Sequence, residues 1–136
     1  GDVYKRQEQY RLTNQIKFID HCEDMALAYK VSDIIVSASI EPEAFGRVAV
    51  EAQSMEKLII ASNIGGSNET INDEKTGFLF KSGDAESLSK KIIRGLTMDE
   101  TSINLMGKKG RDNIIKKFNV EKMCFSTYSE YKRLLN

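Results

Sequence analysis

The sequence predicts an α/β domain in which a mostly parallel sheet is flanked by helices, with further helices at the C-terminal end. Four short runs rich in Ile, Val, Leu and Phe are continuously apolar, which is typical of strands buried on both faces. Segments of helical length separate these runs, and the last third of the chain has the apolar spacing of amphipathic helices. A chain of 136 residues is long enough for one such domain.

Strands and helices alternate along most of the chain. The predicted strands are IKFI (16–19), DIIVSAS (33–39), LIIAS (58–62) and GFLF (77–80). The helices predicted between them cover roughly 23–31, 46–56 and 67–72. This alternation is typical of a layered domain, in which helices cover the faces of the sheet.

Three longer helices are predicted at the C-terminal end, over 84–96, 99–118 and 120–135. Asp84 and Asp99 stand where an N-cap residue is expected, directly before an apolar repeat. The residues predicted to pack inward are Leu88, Ile92, Leu96, Ile103, Met106, Ile114, Phe118, Val120, Met123, Tyr131 and Leu134. A stripe at this spacing is far more often core packing than a cofactor site, so we interpret these helices as structural.

The composition argues against several classes of partner. Twenty basic and twenty acidic residues cancel, and neither sign forms a long block, so nucleic acid is not an expected partner. Cys22 and Cys124 lie far apart without a CxxC spacing, which favours a reduced, cytoplasmic setting over a disulfide framework. No apolar run approaches the roughly 18 residues that a membrane-spanning helix needs.

The first seven residues, GDVYKRQ, need a separate interpretation. This heptapeptide is the in-frame translation of a transposase adaptor end used in preparing sequencing libraries. The alternative is a native strand-to-helix turn, which Gly1 and Asp2 would suit. We expect residues 1–7 to be a sequencing-adaptor artefact with few native-like contacts, and residues 8–136 to be a domain that lacks its beginning.

The stretch EPEAFGRVAVEAQSM (41–55) lies where a predicted strand gives way to a helix. Ligands of open parallel sheets bind at this edge, outside the carboxyl ends of the strands. The first backbone amides of the helix, from about Phe45 to Val48, have no intrahelical partner and lie at the positive end of the helix dipole. Gly46 has no side chain, so an anion could approach the backbone closely. The stretch therefore predicts a phosphate-binding helix start.

Two acids flank this helix start. Glu43 precedes it and Glu51 follows eight residues later, at a separation on the order of 10 Å for a path that is part loop and part helix. Each carboxylate can accept two hydroxyl hydrogen bonds and so suits a sugar diol. The alternative is that Glu43 is a solvated loop acid and that Glu51 pairs with Arg47, four residues earlier on the helix. Spacing alone leaves both interpretations open.

The segment EAFGRVAVE resembles the E-x7-E motif of the family 4 retaining glycosyltransferases, which have the GT-B two-domain architecture. The resemblance begins near Ile16, continues through KFIDHCEDMALAYKVSDIIVSAS and includes SNIGGSNETI and TGFLF in the family's order. GGSNE, from Gly65 to Glu69, is similar to the family's GGxxE turn. The resemblance implies that residues 8–136 are part of the Rossmann-like C-terminal domain, which binds the nucleotide-sugar donor.

The resemblance also implies residue roles. Glu43 would be the catalytic residue and meet the hydroxyls of the transferred sugar, and Glu51 would hold the ribose. The remaining donor-binding residues would be Phe45, Gly46, Arg47 and Val48, and the cleft edge would be formed by Gly65, Gly66, Glu69 and His21. Two simpler interpretations remain: the glycine pair as a tight turn only, and the histidine as a structural group.

The implied reaction transfers a sugar from a nucleoside diphosphate to a hydroxyl acceptor. No D-x-D triplet occurs, so we expect no metal and no other cofactor, with a helix start and basic residues stabilising the departing diphosphate. The family's upstream Arg and Lys have no match in this chain, so the fragment alone is expected to be inactive. The acceptor, a saccharide or a lipid-linked one, would be bound by the missing N-terminal domain. The pattern is commonest in bacterial envelope polysaccharide or lipopolysaccharide assembly, which implies a cytoplasmic protein and, for the full-length enzyme, peripheral association with the inner face of the membrane.

Two other functions compete with this one. A glycoside hydrolase would also use paired carboxylates, roughly 5–9.5 Å apart, but such clefts usually stack sugars on aromatic rings and this chain has no Trp. A non-catalytic nucleotide-binding α/β module is the other alternative. Upstream sequence with a basic pair and a second Rossmann-like half would favour the enzyme.

Overall fold

The computed structural model describes residues 2–135. The helices are α1 (Asp2–Gln9), α2 (Met25–Val31), α3 (Arg47–Ser54), α4 (Ser67–Thr70), α5 (Ala85–Thr97), α6 (Glu100–Lys117) and α7 (Val120–Leu135). The strands are β1 (Ile34–Ser37), β2 (Leu58–Ser62) and β3 (Phe78–Phe80). Helix and strand alternate from α2 to α5, which confirms the predicted fold class.

The strands form one parallel sheet in the order β1-β2-β3. Every residue of the central strand β2 is buried, as a continuously apolar run predicts. Alternate residues of β2 point to opposite faces. Ile59 and Ala61 pack with residues of α2 and α3, and Leu58 and Ile60 lie in a second cluster with β3, α5 and α6. Helices thus cover both faces of the sheet.

The two aspartates predicted as N-caps have that role. The Asp84 carboxylate accepts a hydrogen bond from the Ser87 amide at 3.0 Å, and the Asp99 carboxylate accepts one from the Ser102 amide at 2.9 Å. Ser102 donates to the Asp99 carboxylate through both its hydroxyl and its amide, and these two hydrogen bonds lower the pKa of Asp99. Residue type and spacing therefore predicted the starts of α5 and α6 correctly.

The predicted strand 16–19 is wrong, and the sheet has three strands rather than four. Residues 16–19 are irregular, and Phe18 and Ile19 are 51% and 75% exposed. A strand needs a neighbouring strand with which to form backbone hydrogen bonds. Within residues 2–135, the edge strand β1 pairs only with β2, so residues 16–19 do not extend the sheet. An apolar run predicts a strand only where such a neighbour is present.

The predicted inward packing of the last helix is also wrong. α7 contains no buried residue, and its apolar side chains Val120, Met123, Tyr131 and Leu134 are each more than 60% exposed. In α5, Leu96 is exposed and Gly95 is buried instead, because the buried face follows Leu88, Ile92 and Gly95. Helical spacing identified apolar faces, but it did not determine which of them another element covers.

Residues 2–9 form helix α1 rather than a strand. Gln7 is buried, and the Tyr4 ring lies 5.1 Å from the Phe18 ring, centroid to centroid. Gly1 lies outside the described residues. The adaptor interpretation of residues 1–7 stays a prediction, which the nucleotide sequence of the unbroken gene tests.

We expect Gly107→Ala to destabilise the chain although alanine favours helices. A Cβ on Gly107 would lie 2.2 Å from the Glu56 carbonyl oxygen, so α6 would have to move away from the end of α3. This displacement should outweigh the roughly 1 kcal/mol gain in helix propensity and lower the free energy of unfolding by about 1–3 kcal/mol. Urea unfolding measures the change. Lys108→Ala, at the exposed neighbouring position, is the control and should be near neutral.

Candidate functional site

The candidate site lies at the carboxyl edge of the sheet, in the loop between β1 and α3. β1 ends at Ser37 and α3 begins at Arg47. Gly46 precedes the helix with φ +73°, a left-handed conformation that residues with side chains rarely adopt. The Gly46 carbonyl accepts the Ala49 and Val50 amides, so the turn into α3 is closed by its own backbone.

The start of α3 presents free donors. The Ala49 amide is the first of the helix to donate within it, whereas the Arg47 and Val48 amides donate to no carbonyl among the described residues. These amides lie at the positive end of the helix dipole, where the sequence predicted a phosphate-binding helix start, and anion binding there stays a prediction. The helix begins one residue later than the predicted 46.

Gly65 and Gly66 hold the loop in place by backbone contact. The Gly66 amide donates to the Glu43 carbonyl at 2.8 Å. A Cβ on Gly65 would lie 2.5 Å from the Glu43 carbonyl oxygen, and a Cβ on Gly66 would lie 2.4 Å from the Phe45 carbonyl carbon. Gly65 also has φ +57°. The pair is therefore more than a tight turn, because its backbone forms the wall against which the loop rests.

Glu43 lies in the exposed part of this loop. The Ser39 hydroxyl donates to Glu43 Oε1 at 2.6 Å, and the Ser82 hydroxyl donates to the Ser39 carbonyl at 3.3 Å. The carboxylate is thus tied to the end of the β1 segment and keeps free acceptor positions. The sequence pattern did not indicate Ser39 as the partner of Glu43.

Glu51 lies one turn into α3, and each of its carboxylate oxygens accepts a hydrogen bond. The Tyr29 hydroxyl donates to Oε2 at 2.8 Å, and the Arg47 guanidinium donates to Oε1 at 3.1 Å. The helical ion pair that was the simpler interpretation of Arg47 is therefore present. Burial, and then the hydrogen bond to the Glu51 carboxylate, raise the pKa of Tyr29 to about 12. Tyr29 thus remains a hydrogen-bond donor across the physiological pH range.

A cavity of about 330 Å³ adjoins this pair between α2 and α3. Its lining includes Met25, Tyr29, Arg47 and Glu51. Tyr29 was not predicted from the sequence, because a tyrosine in an apolar helix has the pattern of core packing. One signal did exist: a tyrosine hydroxyl in such a helix needs a polar partner, and Glu51 on the following helix is an acceptor.

Phe45 is half-exposed and packs edge-on against Phe118, with ring centroids 5.6 Å apart. Phe118 follows the end of α6, so this contact joins the loop to the junction of α6 and α7. The two residues are 73 positions apart, and no local pattern predicted the contact.

The other two candidates are exposed. His21 lies in an irregular segment before α2, and Glu69 lies on the short helix α4. Among the described residues, neither side chain makes a hydrogen bond or ion pair with the loop. The structure thus brings Glu43, Phe45 and Gly46 together with Gly65 and Gly66, and does not link His21 or Glu69 to them.

Residues 2–135 contain no group of three or more His, Cys, Asp and Glu side chains arranged to hold a metal ion. That no metal or other cofactor is needed stays an expectation. In the same part of the chain, none of the helices combines the length and the apolar character required to cross a membrane.

Comparison with protein families matches residues 2–117 to the family described as glycosyl transferases group 1. Two curated relatives illustrate the match. The capsular polysaccharide biosynthesis glycosyltransferase CapM of Staphylococcus aureus is 29% identical over 88% of this chain and 31% of its own length. The UDP-Gal:alpha-D-GlcNAc-diphosphoundecaprenol alpha-1,3-galactosyltransferase of Escherichia coli is 30% identical over 88% of this chain and 30% of its own.

A crystal structure of a glycosyltransferase from Rickettsia africae ESF-5 has a similar fold. It matches with a TM-score of 0.92 and 38% identity, over 99% of this chain and 36% of that one. This chain spans about a third of the length of the relatives that it matches.

We expect Gly66→Ala to displace the loop that contains Glu43 and Phe45. Gly66 has φ −60°, so alanine meets no backbone strain and the effect is purely steric. The added Cβ should push the loop outward and lower the free energy of unfolding by about 1–3 kcal/mol. Amide chemical shifts of residues 42–46, measured together with urea unfolding, report both changes. Asn68→Ala, two residues on and exposed, should alter neither; unchanged loop shifts in Gly66→Ala would contradict the steric argument.

Proposed function

This chain belongs to the group 1 glycosyl transferases, and on that premise we propose that it forms the donor-binding part of a retaining glycosyltransferase. The proposed reaction transfers a sugar from a nucleoside-diphosphate sugar to a hydroxyl group of a saccharide or lipid-linked acceptor. The observation that supports it best is the helix start with free Arg47 and Val48 amides, which has one carboxylate before it and one beyond it.

The diphosphate is proposed to bind at the start of α3. Its oxygens would accept hydrogen bonds from the free amides, whose dipoles are fixed by the fold before the ligand arrives. The lack of a side chain at Gly46 lets the start of α3 lie close to the start of α4, because a Cβ there would be 3.3 Å from the Ser67 amide nitrogen. As the bond to the sugar breaks, negative charge grows on the diphosphate, and these donors stabilise that charge.

The two acids are proposed to hold the two sugars of the donor. Glu43 would accept hydrogen bonds from hydroxyls of the transferred sugar, and Glu51 would accept them from the ribose. Charge-assisted bonds of this kind are stronger than bonds between neutral groups. Because the Glu43 loop is fixed by the Gly66 amide, its carboxylate would be placed before the donor binds.

The proposed setting is the assembly of cell-envelope polysaccharide or lipopolysaccharide. One relative is named for capsular polysaccharide biosynthesis and another for transfer of galactose to a diphosphoundecaprenol-linked sugar. We propose a cytoplasmic enzyme that meets a lipid-linked acceptor at the inner face of the membrane. Acceptor recognition is assigned to the part of the protein that this chain does not include.

Glu51→Ala should weaken nucleotide binding by the full-length enzyme about 30- to 150-fold, or roughly 2–3 kcal/mol. The loss should be equal for a nucleoside diphosphate and for its sugar conjugate, because both contain the ribose. Calorimetric titration with UDP, GDP and ADP identifies the nucleotide that binds and measures the change. Glu121→Ala, an exposed acid on α7, is the control. If Glu51→Ala binds the nucleotide as tightly as the parent, Glu51 is only a surface acid.

Glu43→Gln should reduce turnover more than it reduces affinity for the bare nucleotide. The variant keeps the size of the side chain but removes the charge that would act on the transferred sugar. Initial rates and nucleoside-diphosphate affinities of the full-length enzyme separate the two effects. Glu41→Gln changes an acid of the same exposed loop and should leave both unchanged. Equal weakening of bare nucleotide and nucleotide sugar, with no further loss of rate, would reject the role of Glu43.

A further inference from the structure

Tyr29 links α2 to the candidate site through one part-buried hydrogen bond. It is the only buried residue among those described in α2, and it is 4% exposed. Its hydroxyl donates to Glu51 Oε2 at 2.8 Å, across 22 residues of sequence. Its ring belongs to the core cluster that contains Ala49, Ala52 and Ile59. The hydroxyl is therefore attached to a ring that the core holds in one place.

The Tyr29 phenol keeps its proton at physiological pH and can donate a hydrogen bond to Glu51. Burial is the main cause that raises the pKa of Tyr29 to about 12, and the neighbouring carboxylate adds to it. Since a phenol with this pKa stays protonated, it always offers its hydrogen to the carboxylate. A hydrogen bond to a charged acceptor is also stronger than one between neutral groups.

The second partner of Glu51 restrains it much less. The Arg47 side chain is 83% exposed, whereas the Glu51 side chain is 35% exposed. An exposed helical ion pair contributes little, because solvent screens it and both side chains lose freedom. The orientation of the carboxylate is therefore set mainly from the Tyr29 side.

The carboxylate retains acceptor capacity in this arrangement. A carboxylate has about four lone-pair positions, and Tyr29 and Arg47 each use one, on different oxygens. One position remains on each oxygen, which matches the two neighbouring hydroxyls of a ribose. From this geometry we infer that Tyr29 is a positioning residue of the donor site, which orients Glu51 to accept both ribose hydroxyls. The inference rests on the proposed donor-binding function.

Tyr29→Phe tests the inference, because it removes the hydroxyl and keeps the ring that packs in the core. The affinity of the full-length enzyme for UDP should fall about 5- to 10-fold, which is about 1–1.4 kcal/mol. GDP or ADP replaces UDP if the parent binds that nucleotide instead. The 2′,3′-dideoxy form of the same nucleotide should bind parent and variant equally, because it has no hydroxyls for Glu51 to hold. Tyr128→Phe, at an exposed tyrosine of α7, should change neither affinity.

A double-mutant cycle identifies the route of the effect. In the Glu51→Ala background, Tyr29→Phe should cause less than about a 2-fold further loss, because the group that it orients is absent. If Tyr29→Phe does not fold, Tyr29→Met answers the same question, because it also fills the core position without offering a hydroxyl. It should show the same hydroxyl-dependent loss.

The outcomes separate the inference from the proposed function. If Tyr29→Phe or Tyr29→Met binds the nucleotide as tightly as the parent, the inference is overturned. If Tyr29→Phe weakens the dideoxy nucleotide equally, Tyr29 has only a structural role and the inference is again overturned. If the parent binds none of UDP, GDP and ADP, the proposed function fails, and the premise of the inference fails with it.

Discussion

The candidate site depends on direct backbone contact between the Gly65–Gly66 turn and the loop that contains Glu43. Gly65 and Gly66 lie against the loop from Pro42 to Phe45 at distances that a Cβ would prevent. Thr70 connects the same turn to α3. Its hydroxyl donates to the Gly66 carbonyl, and its own carbonyl accepts a hydrogen bond from the Gln53 side-chain amide at 3.0 Å. The position of the loop, the start of α3 and the turn after β2 are therefore fixed together. A ligand at the helix start would find its donors already in place.

The charges at the site explain why this chain is expected to need the rest of its protein for catalysis. Glu43 and Glu51 contribute two negative charges, and Arg47 supplies one positive charge that Glu51 already engages. A diphosphate approaching α3 would thus meet a net negative charge from these three side chains, which the amides and the helix dipole offset only in part. For the proposed reaction, we therefore expect further basic groups to offset the remainder.

The sequence predicted those features that depend on neighbouring residues. The caps at Asp84 and Asp99, the buried strand β2 and the i,i+4 pair of Arg47 and Glu51 are all consequences of residue type and short spacing. The predicted strand 16–19 and the predicted packing of α7 failed for a shared reason. Periodicity shows which face of an element is apolar, but burial requires a second element, and its presence is a property of the tertiary structure.

The same distinction applies to the site. The sequence placed Glu43, Glu51 and the helix start in one loop, because they are close along the chain. Ser39 is equally close, but a serine at the end of a strand has many uses, and its bond to Glu43 was not foreseen. Tyr29 and Phe118 could not be foreseen from local pattern, because their contacts with Glu51 and Phe45 form only when the chain is folded.

The junction of α6 and α7 has a mechanical consequence. Only Phe118 and Asn119 separate the two helices, and Asn119 starts α7 by accepting the Lys122 amide at 2.8 Å. With 16 residues, α7 is about 24 Å long. A rotation of about 10° at the junction would move its far end by about 4 Å, whereas Phe118, close to the pivot, would hardly move. α7 thus acts as a lever that pivots near Phe118, which contacts Phe45. A large displacement at the C-terminal end of α7 corresponds to a small displacement beside the Glu43 loop.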